Sequence, residues 1–160
     1  MIDQDRAAQN MLVTVLMEEQ PQRYLVIGDP APLDPYPEGH TAQAACPVYL
    51  PLQGATDALP EHGRQDLVLV GGLERLSRAE GEILLSRLRD LYARRVLVCL
   101  ALGDTWRQND LTAFAFTRLA TLGDGMGTLY GFDVGTYKTT PDWLNPRYWA
   151  NPELWGKYRW

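Results

Sequence analysis

The sequence has few of the residues that form disulfides or bind metal ions in small domains. It contains two cysteines, Cys46 and Cys99, and neither belongs to a Cys-x-x-Cys pair or a Cys/His cluster, so we expect no structural zinc site. The longest uninterrupted apolar run, residues 96–102, predicts a buried thiol for Cys99, which lies within it. This run is too short to cross a bilayer. The N-terminus also lacks the basic and then apolar order of a secretory signal. We therefore expect a cytoplasmic protein with no membrane segment.

The overall composition is that of an ordinary globular chain. The 160 residues are 46% hydrophobic and 22% charged, which predicts one globular domain over residues 1–160 that folds on its own. The formal net charge of -5 argues against a general polyanion binder. Nucleic acid is accordingly not expected as a partner.

Strand and helix patterns alternate along the chain. Residues 1–22 predict an amphipathic lead helix, and the proline-rich segment 29–38 predicts a loop. Strands are predicted at 23–28, at 48–52 as an edge strand, at 66–71, at 96–102 and at 126–132, with 134–138 as a further strand or hairpin. Helices are predicted from the capping box Ser77 to Glu80 as far as Arg94–Arg95, and from Thr105 or Asn109–Asp110 to Leu122.

This order predicts a three-layer, Rossmann-like fold with a mostly parallel sheet and helices on both faces. In such sheets ligands bind beyond the carboxyl ends of the strands. The loops that follow three of the strands therefore contain the candidate site residues. These are Gly28, Asp29, Glu74, Asp104 and Trp106.

Two segments carry a resemblance to a known family. Residues 66–76 with the Leu-rich helix that follows, and residues 95–100, resemble the second half of the core of class I S-adenosylmethionine-dependent methyltransferases. The resemblance covers residues 66–122. The whole chain, including Pro141-Asp-Trp-Leu-Asn-Pro146, also resembles a family of short bacterial proteins without assigned function.

The first half departs from the methyltransferase pattern where the resemblance implies the cofactor. That family has a Gly-rich loop after the first strand, whereas here Gly28 is followed by Asp29 and a proline-rich loop. It also has an acidic residue at the end of the second strand, but residues 50–53 contain none and Asp57 comes several residues late. Only 13 residues separate Leu52 from Asp66, so we expect the third strand and its helix to be missing or vestigial.

Each lost contact of this kind costs roughly 1.5 to 3 kcal/mol, which is about ten- to hundredfold in affinity. We therefore expect no productively bound cofactor, and a pseudoenzyme that acts as a binding or assembly module. The alternative is an active methyltransferase with a divergent cofactor loop. In that case S-adenosylmethionine would contact Gly28, Asp29, Glu74, Asp104 and Trp106.

The C-terminal segment, residues 139–160, is rich in tryptophan. Two copies of Trp-x-Asn-Pro-x-x-Trp share one tryptophan, and a further one ends the chain. We expect this segment to pack on the domain, because large aromatic side chains bury much apolar area. The alternative is that Trp143, Trp149, Trp155 and Trp160 contact a protein partner or a second copy of the chain in a homo-oligomer.

Overall fold

The computed structural model describes residues 2–38, 45–101, 103, 105–107, 109–122 and 127–137. Its elements are α1 (Ile2–Glu19), β1 (Tyr24–Gly28), β2 (Val48–Leu50), α2 (Ala55–His62), β3 (Gln65–Gly71), α3 (Arg78–Arg87), β4 (Ala93–Ala101), α4 (Asp110–Ala113), β5 (Thr117–Leu122), β6 (Gly127–Asp133) and α5 (Val134–Tyr137). A 3-10 turn (Leu73–Arg75) precedes α3, and a π-helical turn (Leu88–Tyr92) follows it. Within these residues no helix is both long and apolar enough to cross a membrane.

The strands form one six-stranded sheet in the order β2-β1-β3-β4-β6-β5. The pairs β1–β2, β1–β3 and β3–β4 are parallel, and β6 is antiparallel to both β4 and β5. Parallel neighbours need crossover connections, and α3 with its flanking turns connects β3 to β4. The predicted edge strand is confirmed, since β2 lies at one edge of the sheet.

Apolar side chains cover both faces of the sheet. Alternate residues of a strand point to opposite faces, so Leu25 and Ile27 pack with α2 and α3, whereas Val26 packs with α1. Helix α1 contributes Leu12 and Leu16, both fully buried. The predicted three-layer α/β fold with a mostly parallel sheet is confirmed.

The capping box at the start of α3 is confirmed. The Ser77 hydroxyl accepts a hydrogen bond from the Glu80 backbone N–H at 3.3 Å, and the Ser77 N–H donates to the Glu80 carboxylate at 3.3 Å. The predicted end of this helix at Arg94–Arg95 is wrong. Both residues lie in β4, where Arg95 pairs with Leu67 of β3. Pairing with β3 thus extends β4 toward its N-terminus, so that it includes two arginines whose charge had indicated the end of a helix.

The long helix predicted up to Leu122 is also wrong. Among the described residues of this range, only Asp110–Ala113 is helical, and Thr117–Leu122 forms β5. Ala115 has a φ of 70°, in the left-handed region, which ends the helical turn before the strand. The strand then pairs along β6, and this non-local pairing outweighs the helical spacing of the apolar residues.

Two smaller differences concern connections. Residues 134–137 form the helical turn α5 instead of a strand or hairpin, after the predicted last strand. Between β2 and β3, residues 51–64 contain the helix α2 and no strand. The expected absence of a third strand in this stretch is therefore confirmed, and the single helix α2 connects β2 to β3.

Candidate functional site

The side of β1 on which the next strand is added changes between β2 and β3. From β1 the chain proceeds to β2 on one side, and then returns to β3 on the other side. Because β1, β3 and β4 are parallel, the loops after all three leave from one edge, and Gly28 pairs with Gly71 at that edge. Such a switch point is where open α/β sheets bind ligands.

A cleft of about 290 Å³ opens at this edge. It combines carboxylate, guanidinium and apolar side chains from the loops after β1 and β3, from the end of β4 and from both strands of the β5–β6 hairpin. Its described lining residues are Asp29, Ala31, Pro32, Gly72, Glu74, Arg75, Cys99, Leu100, Ala101, Leu122 and Gly127. The volume is close to the lower limit for small-molecule pockets, which begin at about 300 Å³.

Two predicted site residues, Asp29 and Glu74, line this cleft. Both are exposed at their positions beyond the strand ends. One oxygen of Asp29 accepts a hydrogen bond from the Ala31 backbone N–H at 3.0 Å, so this carboxylate also stabilises the turn that follows β1. The second oxygen and the Glu74 carboxylate give the cleft an acidic character, which Arg75 balances in part.

Cys99 also lines this cleft, and its thiol is buried. Only 5% of the residue is exposed, which confirms the prediction of a buried thiol in this strand. Burial raises the pKa of Cys99 to about 12, and the nearby Glu74 carboxylate adds to this increase. At neutral pH Cys99 is therefore a protonated, weakly nucleophilic group.

The backbone after β1 lies directly over the end of β3. Gly28 has a φ of 77°, a left-handed conformation that suits glycine, and it turns the chain toward Gly71. A Cβ atom on Gly71 would overlap the Asp29 carbonyl group and would lie 2.6 Å from the Cα atom of Pro30. The chain itself therefore fills the space immediately above these two strand ends.

Several contacts fix this proline-rich loop on the domain. Gln9 of α1 donates to the Asp34 carbonyl oxygen at 3.0 Å and accepts from the Asp34 N–H at 2.8 Å. The Tyr24 hydroxyl donates to the Pro35 carbonyl oxygen at 2.7 Å, and burial raises the pKa of Tyr24 well above its ordinary value. Leu33 is also buried, so the loop has its own apolar anchor.

The end of β2 presents an apolar side chain toward this region. Leu52 lies beside Gly28, with its Cβ atom 3.6 Å from the position that a Cβ atom on Gly28 would occupy. Asp57 lies in the first turn of α2 and lines a separate cleft beside α3. No carboxylate therefore follows β2 where the methyltransferase resemblance implies one.

Trp106 lies in the hydrophobic core, and only 1% of the residue is exposed. Its ring packs under α3, where a Cβ atom on Gly81 would be 2.6 Å from the ring atom Cζ2. The structure therefore places Trp106 away from the cleft that Asp29 and Glu74 line. Asp104, the remaining candidate of this loop, lies outside the described residues.

A network of polar groups holds Arg78 over the Trp106 ring. The guanidinium carbon is 4.3 Å from the ring centroid, and the guanidinium donates to Asp110 at 2.9 Å and to Glu82 at 2.8 Å. The Arg107 backbone N–H and then Arg78 lower the pKa of Asp110 below its ordinary value. The network has a structural role, since it closes the core above an indole N–H that has no hydrogen-bond partner among the described residues.

Sequence patterns did not identify Arg75, Leu122 or Gly127 as cleft residues. Arg75 directly follows Glu74 in the 3-10 turn, so its position could have been inferred from its neighbour. Leu122 and Gly127 are paired at the end of the β5–β6 hairpin. Within the described ranges, no group of three or more His, Cys, Asp or Glu side chains could hold a metal ion.

Three solved structures place this fold in a known class. The methyltransferase domain of bacterial CtHen1-CN is 11% identical, with a TM-score of 0.54 over 84% of this chain and 100% of that chain. The corresponding domain of CtHen1-C is 12% identical, with a TM-score of 0.53 over 83% and 98%. Magnesium protoporphyrin IX methyltransferase (ChlM) from Synechocystis PCC 6803, solved with bound SAM, is 14% identical, with a TM-score of 0.50 over 79% of each chain. At these identities the likeness establishes a methyltransferase-like α/β fold and nothing about activity.

The chain belongs to a family described as "Family of unknown function (DUF6231)", whose model matches residues 6–160. The match includes the tryptophan-rich C-terminal segment. No curated protein matches the sequence. The partner contacts predicted for Trp143, Trp149, Trp155 and Trp160 lie outside the described residues.

Proposed function

We propose that this protein is a methyltransferase-like binding module that does not bind S-adenosylmethionine productively. The observation that carries the proposal is the position of the Asp29–Pro30 backbone, which occupies the space above Gly71. A cofactor that needs close approach to the backbone at these strand ends would have to displace the protein's own chain. The residues present therefore do not fit the cofactor that the fold class implies.

Two further observations support the proposal. The loop that fills this space is fixed by hydrogen bonds from both Gln9 and Tyr24, so lifting it would break bonds at two separate elements. The apolar Leu52 also lies beside the end of β1, where a ribose would need a charged acceptor. Both features lower the affinity expected for an adenosyl ligand.

An active methyltransferase with a divergent cofactor loop is the second candidate. It is favoured by the cleft itself, because Asp29 and Glu74 lie together at the sheet edge where ligands of such folds bind. In this case the ligand would occupy the side of the cleft formed by β4 and the β5–β6 hairpin. Cys99 would then supply a polarizable apolar wall, because its thiol stays protonated at neutral pH.

A thermal unfolding experiment with S-adenosylhomocysteine distinguishes the two candidates. We expect no rise in the Tm of the intact chain at a saturating concentration of this product. An authentic ligand present at a hundred times its Kd would add about 2.7 kcal/mol of stability, which corresponds to a rise of several degrees. Such a rise, lost in both Asp29→Ala and Glu74→Ala, would exclude the first candidate, and transfer of a methyl group from S-adenosylmethionine would then be required to establish the second.

We further propose that the module binds its partner through the tryptophan-rich segment, with a different protein as the partner. The segment carries four tryptophans, and exposed tryptophan and arginine are typical anchors of protein interfaces. A second copy of the chain is the alternative partner.

The mass of the intact protein in solution separates these partners. We expect light scattering to give the single-chain mass, 18.1 kDa, at micromolar concentration. A dimer mass that returns to the single-chain value when the four tryptophans are replaced by alanine would instead identify a second copy as the partner.

The proposed compartment is the cytoplasm. Cys46 is exposed and Cys99 is buried, and both are free thiols. Free thiols persist in reducing compartments, whereas oxidising ones favour disulfides.

A further inference from the structure

The outer surface of α3 carries apolar side chains that the domain leaves uncovered. Ile83 is 49% exposed, and Leu91, eight residues later in the π-helical turn, is 62% exposed. Between them lies the exposed side chain of Arg87, four residues from each, so the three follow one side of the helical segment. Apolar side chains of this size at regular spacing form a surface suited to docking.

Beside this surface lies a groove of about 440 Å³, which we call the α3 groove. It is lined by Glu82, Ile83, Ser86, Arg87 and Phe114. Phe114 packs against the core, and its carbonyl oxygen accepts a hydrogen bond from Arg89 at 3.2 Å. The groove therefore lies between α3 and the turn that follows α4.

The chain leaves the described domain close to this surface. The last residue of β6, Asp133, pairs with Arg95 at the start of β4, and Leu91 lies just before that strand. Val134, at the start of α5, packs against the same core cluster as Tyr92 and Phe114. The segment that follows Tyr137 therefore begins at the end of the sheet where the exposed Leu91 is found.

The segment is long enough to extend along this exposed surface. Ile83 and Leu91 are eight residues apart, which corresponds to about 12 Å along a helix. The six residues from Lys138 to Trp143 can extend over about 20 Å. The span of these six residues thus exceeds the distance between Leu91 and Ile83, and the remaining tryptophans follow within the same chain.

The chemistry of the groove suits a tryptophan. Ile83 and Phe114 offer apolar contact, and the Arg87 guanidinium can lie over an indole ring, as Arg78 already does over Trp106. From Lys138 onward the basic residues exceed the acidic ones by two, whereas the rest of the chain is acidic. The two parts of the molecule are therefore complementary in charge as well as in apolar surface.

We propose that, in the chain without a partner, the tryptophan-rich segment occupies the α3 groove of its own domain, with Trp143 between Ile83 and Phe114. A single chain favours this arrangement because the tether raises the effective concentration of the segment at the groove. The inference rests on the proposed function in one respect, namely that a protein partner then competes with the groove for the same tryptophans. The groove thus regulates access to the binding segment.

Limited trypsin digestion of the intact chain tests this proposal. Mass spectrometry measures the rate of cleavage after Arg147. We expect this rate to be low in the wild type and about tenfold higher in Ile83→Glu, because the loss of one buried aliphatic contact corresponds to a change of this size. Leu91→Glu should also accelerate cleavage. Both side chains are about half or more exposed on the described domain, so neither change disturbs the core, and any fall in the Tm should not exceed the lost docking energy of the segment.

Met17→Glu provides the matched control. Met17 is 59% exposed on α1, which packs on the opposite face of the sheet, and its replacement should leave cleavage unchanged. Equal cleavage rates in the wild type, Ile83→Glu and Met17→Glu would overturn the proposal. So would protection that increases with protein concentration, because the occupant would then be the segment of a second copy. Binding of S-adenosylhomocysteine would contradict the proposed function without changing this digestion pattern.

Discussion

Gly71→Ala is expected to lower the free energy of unfolding by about 2–3 kcal/mol, because the added methyl group would overlap the backbone of Asp29 and crowd Pro30. The obstructing atoms belong to the backbone, so rotation of a side chain cannot relieve the overlap. The loop would have to move away from β3 and would lose part of its contacts with Gln9 and Tyr24. Urea unfolding at fixed pH measures the change.

Gly103→Ala is the matched control for this prediction. Gly103 also follows a strand at this edge, but an added Cβ atom there would meet no heavy atom within 4 Å. Its free energy of unfolding should change by no more than about 0.5 kcal/mol. If the two variants unfolded at the same urea concentration, the strand ends would be open, and the main argument against cofactor binding would fail.

The second large effect is expected at Trp106. Trp106→Ala removes one of the largest fully buried side chains and should lower the free energy of unfolding by about 3–5 kcal/mol. It also leaves Arg78 without the ring that it covers. Thermal and urea unfolding of the purified variant would measure this loss.

Gly81 provides an internal control for the Trp106 result. Alanine is normally about 1 kcal/mol better than glycine within a helix, yet here its Cβ atom would be 2.6 Å from the Trp106 ring. Gly81→Ala should therefore destabilise the wild type but stabilise the Trp106→Ala variant. The same sign in both backgrounds would contradict the packing described for this residue pair.

The central strands could be predicted because their signals are local and strong. The apolar run of β3 and the capping box of α3 both occur in the structure where the sequence places them. Cys99 was predicted to be buried because it lies within such a run. Each of these features depends on residues that are adjacent in sequence.

The β5–β6 hairpin could not be predicted, because its evidence is non-local. Leu111, Leu119 and Leu122 have helical spacing, and only pairing with β6 makes the second part of this segment a strand. The error also concealed one side of the cleft, because Leu122 and Gly127 reach the sheet edge through that hairpin. The local sequence pattern therefore identified Asp29 and Glu74 on one side of the cleft, but not Leu122 and Gly127 on the other side.

The burial of Trp106 in the core could not be predicted for a similar reason. The sequence places Trp106 in the loop that follows a predicted strand, at the edge of the sheet where ligands bind. Its position depends on Gly81, where the absence of a side chain makes room for the indole ring. The glycine that weakens the helix in isolation is required for the packing of the core.

The paired hydrogen bonds between Gln9 and Asp34 link the stability of two distant parts of the chain. Unfolding of α1 would remove the Gln9 amide group that holds the proline-rich loop. Displacement of the loop would leave that amide group with water as its hydrogen-bond partner. We therefore expect the N-terminal helix and the cover over the strand ends to open together, so that local opening of either part increases hydrogen exchange in the other.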